Sequence, residues 1–284
     1  MNIDLKLVDL TTTVKKVHPM RGWQWINEGY RYFVPAKSAW ILSLLIVVFV
    51  VLLARFLIPI LQLSLIFINP FIVAGLSLAC VAIEKGGKMT PEYLFKGFSS
   101  PNKMNIFRYG LLFLVMMIIA QLISSILLTA IGITQEQLTS EITALQNNKS
   151  ADYQTIMDSP ILFKFFIMSL ISLLPLIMIN LFAPIIIVFS DLTAFQSIKL
   201  SFFAGLKNIP ALIIYMLIYI IILVLTFVIL NFLASLLYMA FGEDSGIASA
   251  IYLMTFFGSV LAIISISYSS AYVAFKDIFV GDQI

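Results

Sequence analysis

The chain has 284 residues, 61% hydrophobic and 11% charged, with a mean hydropathy of +1.06. Soluble domains are close to half apolar, so this composition excludes a soluble globular fold and points to a polytopic membrane protein. The formal charge of +3 is modest; it implies no more than attraction to anionic lipid and gives no reason to expect nucleic acid as a partner.

The N-terminal stretch MNIDLKLVDLTTTVKKVHPMRGWQW has no continuous apolar core and no small-residue cleavage site before the first long apolar run, so that run is expected to be retained as a span. Within it and just after, Trp23, Ile26, Tyr30 and Phe33 recur at helical spacing while Arg21, Gln24, Glu28 and Arg31 take the opposite face. That is the pattern of an amphipathic helix lying at the headgroup level. Aromatic side chains suit that depth, so Trp23, Tyr30 and Phe33 with Ile26, and Trp40 at the start of the first span, are candidate interfacial anchors.

A hydrocarbon core about 30 Å thick needs roughly 20 apolar residues per helix. The chain offers six such runs, at about 39–58, 60–83, 106–131, 161–189, 210–240 and 247–275. Six spans put both termini on one side. The segments on that side hold 14 Lys or Arg against three on the other, Arg55, Lys149 and Lys164, which predicts cytoplasmic termini. Arg55, near the outer end of the first span, is read as snorkelling to the interface, with gating or anion binding as the alternative.

The second span carries the first anomaly, Asn69-Pro70 in LIFINPF, and the fourth answers it with Asn180 in LIMINLF and Pro184 beyond. The sixth has SISYSSAY, with Ser265, Ser267, Tyr268 and Ser269 as its polar interval. A proline inside a helix removes a donor and clashes with the carbonyl four residues back, freeing polar groups that must be satisfied within lipid. Two readings stand. The interruptions line a pocket or path near the midplane, or they lock helices together through hydrogen bonds and kinks. No Asp, Glu, Lys or His accompanies the Asn residues at that depth, and ion-coupled transport calls for such a group.

The segments leading into spans one, three and five share a pattern. EGYRYFVPAKSAW, FKGFSSPNKMNIF and FAGLKNIPALIIY each place a Gly (Gly29, Gly97, Gly205) four to six residues before a Pro (Pro35, Pro101, Pro210). Thr90-Pro91 predicts a helix start before the second, and Thr193 to Gln196 a capping box before the third, whose apolar stripe is Phe195, Ile198, Phe202 and Leu206. The expected architecture is thus all-α: one integral membrane domain over residues 1–284, with six transmembrane helices as three hairpins. Each hairpin follows a cytoplasmic interfacial amphipathic helix, in repeat units 21–83, 90–190 and 193–276.

The stretch between spans three and four, 134–160, has four acids and one Lys and is expected outside the cytoplasm. Thr134 to Gln137 fits a capping box there, with Leu138, Ile142 and Leu145 on one face. That face could dock on the chain itself, lie on the membrane or bind an envelope protein.

GWQWINEGYRYFVPAKSAWI followed by FINPFIVAGL resembles a family of proteobacterial inner-membrane proteins similar in layout to the membrane portion of some glycerophosphodiester phosphodiesterases. The resemblance implies a bacterial inner-membrane location and a role in envelope maintenance, and it brings no catalytic residues. The chain's own residues agree: no HExxH, nucleophile elbow, Walker A pattern or metal-spaced cluster is present in the sequence. The single Cys80 supports no disulfide framework or cysteine metal site. The expected function is non-enzymatic, needing no cofactor or metal and supporting envelope integrity through membrane lipids or protein contacts. The alternative is a small-molecule or lipid transporter whose pathway follows the interruptions of spans two, four and six.

Overall fold

The computed structural model describes residues 14–57, 64–147, 159–242 and 244–280. Among them every regular element is helical, and six helices are long and apolar enough to cross a membrane. The first helix, α1 (Arg21–Phe33), passes through a 3-10 turn (Val34–Ala36) into α2 (Lys37–Leu57). The second long apolar run is α3 (Ser64–Glu84), followed by a single turn, α4 (Tyr93–Lys96), and then α5 (Lys103–Ala130). A short helix α6 (Gln135–Asn147) precedes α7 (Pro160–Phe189), which leads into α8 (Ala194–Lys207). The last pair is α9 (Ile209–Phe241) and α10 (Gly246–Phe275), extended by a π-helical turn Lys276–Val280.

The helix starts follow from local chemistry. Thr193 and Gln196 form the reciprocal capping box at α8, and Thr134 and Gln137 exchange the same pair of bonds at α6, at 2.9 and 3.2 Å. Ser159 and Ser245 accept from Leu162 and Ala248 to cap α7 and α10. Pro160 and Pro210 sit in first turns, where their missing N–H costs nothing. Gly242 leaves α9 at φ +90, a conformation that favours glycine. Thr90-Pro91 does not start a long helix: Thr90 spends its hydroxyl on Glu92, and only the turn Tyr93–Lys96 follows.

The well-buried core lies at the end that carries the basic residues. It is built from the last three turns of α3, α7 and α10, which touch one another, with α1, α4 and α8 packed around them. Toward the opposite end the faces of α5, α9 and α10 are exposed apolar surface, including Ile126, Phe227, Phe232 and Met254. Such surface is normal for helices meeting lipid.

The surrounding helices are seated by glycines. A methyl added at Gly29 of α1 would clash with Ser270 of α10; at Gly97, after α4, with the Phe71 carbonyl of α3; and at Gly205 of α8, at 2.9 Å, with Met178 of α7. Gly22 lies likewise against Ala211 and Tyr215 of α9, and Gly75 of α3 against the carbonyl of Tyr93. Thus α4 rests on α3, α8 on α7 and α5, and α1 on α9 and α10.

Candidate functional site

The helices α3, α7 and α10 run unbroken through their prolines and polar residues, which sit near where the surrounding helices cross. In α7, Ser201 of α8 inserts into the backbone ladder: its hydroxyl is 2.8 and 2.9 Å from the carbonyls of Met178 and Ile179 and accepts from the Phe182 N–H at 3.3 Å. A side chain entering the i to i−4 ladder is one of the identifiable causes of a helix bend. Two residues on, the Tyr109 hydroxyl of α5 donates to Asn180 Oδ1 at 2.9 Å. Pro184 is buried one turn further, among Phe182, Ile185 and Ile186.

In α3, Pro70 is buried and Asn69 half-buried, and the Phe71 carbonyl is the surface on which Gly97 rests. The Phe71 and Phe98 rings stack at 4.4 Å between centroids, pinning α4 in place. In α10 the Ser265 hydroxyl returns to the Leu261 carbonyl at 2.8 Å, whereas the Ser269 hydroxyl reaches across to Gly29 of α1 at 2.9 Å. The Ser267 carbonyl accepts from Tyr215 at 3.5 Å, and the half-buried Tyr268 lies against the core. Among the described residues no hydrogen bond joins Asn69, Asn180 and the serines of α10 to one another.

The aromatic anchors divide. Trp23 and Tyr30 are 47% and 51% exposed and Phe195 is 66% exposed, while Phe202 is partly covered and stacks edge-on with Phe203. Ile26 and Phe33 are buried instead. Trp40 is completely buried, and its indole N–H donates to the Tyr32 carbonyl at 3.2 Å. That carbonyl lies near the joint where Pro35 lacks a donor. Arg55 belongs to α2, but its side chain lies outside the described residues, as do residues 148–158 of the segment 134–160. In the described part of that segment, α6 lies against α7, with Leu138, Ile142 and Leu145 partly buried and Ser159 donating to Glu141 at 3.1 Å.

Sequence reasoning missed a polar seam at the basic end. Asp277 accepts from Trp25 Nε1 at 2.7 Å and from Arg21 Nε at 2.5 Å, and Arg21 also bonds Glu28 at 3.1 Å. Glu84 accepts from the Tyr272 hydroxyl at 2.8 Å and pairs with Lys276. Asn208, almost wholly buried, accepts from the Val17 N–H at 2.9 Å and donates to the Lys15 and Ala204 carbonyls at 3.0 Å. Asn102 does the same for the end of α7, donating to Ile187 and Ser190. The only signal for the seam was the placement of Asn after a lead-in helix in two of three segments. Two cations, Arg21 and Lys276, pair across helices with Asp277 and Glu84, which is the arrangement of a clasp. Among the described residues no three His, Cys, Asp or Glu side chains come together as a metal site would require. No protein-family model, curated protein or solved structure matches the chain.

Proposed function

We propose that the chain is a non-enzymatic protein of a bacterial inner membrane, with cytoplasmic termini, that supports envelope integrity through its contacts with lipid and with other envelope proteins. The observation that carries this reading is how the chain uses its intramembrane polar groups: Asn180 is held by Tyr109, Ser269 reaches Gly29, and Ser201 stitches α8 into α7. Polar groups used as helix-to-helix glue are what a scaffold needs and what a solute pathway must leave free. At the basic end the space between α7 and α10 is filled by Phe182, Phe189, Phe275 and Phe279, with centroids 5.5 and 5.7 Å apart in the two cross-helix pairs.

Units 21–83, 90–190 and 193–276 are read as one design repeated. Supporting this, each unit's glycine is seated on the second long helix of the preceding unit, and Gly29 of the first is seated on the third. The exposed Trp23, Tyr30 and Phe195 then meet the headgroup region as anchors.

Deleting the protein should sensitise cells to detergents and chelators, and complementation should survive Asn69→Leu and Asn180→Leu. Purified protein in liposomes should give no solute flux or lipid transfer above empty liposomes. Flux abolished by Asn69→Leu or Asn180→Leu at unchanged protein level and thermal stability would replace this reading with the transporter.

A further inference from the structure

Between α2 and α3 lies an apolar slot whose lining comes from two spans and an overlying turn. It measures about 270 Å³ and is lined by Ile46, Val47, Val50 and Val51 of α2, Leu65, Ile68 and Ile72 of α3, and Leu94, Phe95 and Phe98 at α4. Every one of these side chains is apolar. On α2 they form two adjacent i, i+4 ridges, and on α3 an i, i+3, i+7 stripe, so both helices turn one face to the slot.

The slot exists because α4 is short. Helices α8 and α1 run 14 and 13 residues across the hairpins beneath them, whereas α4 has four. In addition α2 leans on α10, which leaves its other flank apart from α3. An α-helix with its side chains is about 10–12 Å across, too broad for a space of about 270 Å³; a single hydrocarbon chain is the shape that fits.

Charge in the segment that contains α4 says which hydrocarbon chain. The stretch 85–108 carries Lys85, Lys88, Lys96, Lys103 and Arg108 against Glu92 alone. Lys96 lies in the same turn as Leu94 and Phe95; its ammonium sits 3.5 Å from the Tyr93 ring centroid, and among the described residues no carboxylate is within ion-pair distance of it. A basic cluster bordering a membrane helix attracts anionic lipid.

We propose that the slot seats one acyl chain of an anionic phospholipid, whose phosphate is drawn to Lys96. The inference rests on the membrane-spanning reading and deepens the lipid-contact part of the proposed function; the labelling below does not read the envelope phenotype, so the two fail separately. The test uses the full chain in nanodiscs of phosphatidylethanolamine and phosphatidylglycerol at about 3:1, with trace diazirine-bearing acyl chains on one lipid or the other, and crosslinks mapped by mass spectrometry. Label from phosphatidylglycerol should concentrate on residues 46–51 and 65–72 over the exposed Phe227 and Phe232 of α9. Val50→Trp and Ile68→Trp, which fill the slot, should remove the excess, and Lys96→Gln should lower the phosphatidylglycerol preference about fivefold. Should the tryptophan variants fail to fold, Ile68→Ala enlarges the slot and must retain or raise the excess. Uniform labelling, excess label that persists in a folded Val50→Trp variant, a fall with Ile68→Ala, or a Val50→Cys disulfide between two copies would each overturn the assignment.

Discussion

Gly29 and Gly258 stand on two helices that meet the same bilayer, yet a methyl group means opposite things at the two positions. At Gly29 it would strike Ser270, whose backbone nitrogen lies 2.8 Å from the added carbon, whereas at Gly258 nothing lies within 4 Å. Gly29→Ala should therefore cost about 1–3 kcal/mol through overpacking, and Gly258→Ala should be neutral or gain up to about 1 kcal/mol of helix propensity. Thermal unfolding in detergent separates them, and equal melting temperatures would show that the α1 crossing does not limit stability. The Tyr109 to Asn180 bond is a milder case. A double-mutant cycle with Tyr109→Phe and Asn180→Leu should return a coupling near 0.6 kcal/mol, the average for such bonds within a membrane.

Helices α1 and α8 show why pattern reading found elements more readily than faces. Their existence was legible from capping residues and periodic bulk, and the six long helices lie within a few residues of their hydropathy limits. Their contact faces were not legible. In α8 the large residues Phe195 and Leu206 point outward, while the buried side is Ala194, Ser197, Ile198, Ser201, Ala204 and Gly205. In α1 Gly22, Trp25 and Gly29 face the protein, while Trp23 and Tyr30 do not. Where the surroundings are as apolar as the protein, hydrophobicity no longer distinguishes inside from outside, and close approach selects small residues instead. The seam of Asp277, Glu84 and Asn208 was illegible for another reason: its partners lie up to 256 residues apart in sequence, beyond any local pattern. Asn208 offers the element-scale prediction. Asn208→Ala would leave the Lys15 carbonyl and Val17 N–H without their partner, at about 1–3 kcal/mol. Limited trypsinolysis after Lys15 and Lys16 should then quicken roughly tenfold or more while the helical content by circular dichroism is retained.

For the molecule as a whole, the proposed topology, drawn from the charge asymmetry, has the core end in the cytoplasm. Reporters fused after Lys85 and Lys207 should report cytoplasm and one at Asn147 the opposite compartment; labelling of a cysteine at Asn147 from the cytoplasmic side alone would invert the map. The contacts of α1 add a temporal dimension to that map. The seat of Gly29 is Ser270, and the Lys15 N–H bonds the Ile278 carbonyl at 2.9 Å, so a helix made early binds one made some 240 residues later. With 240 residues between Gly29 and Ser269, synthesis at about 5–20 residues per second leaves a wait of roughly 12 to 48 s. Until α9 and α10 are made, α1 lacks the two helices on which it is seated, and its exposed Trp23 and Tyr30 suit it to wait on the bilayer surface. Nascent chains arrested before α10 should accordingly keep α1 open to protease and be cleared by quality control, and those released after Val280 should close. A change in protease protection of α1 that appears only once α10 has been made would mark the seating of α1 on α10 as a late event of assembly.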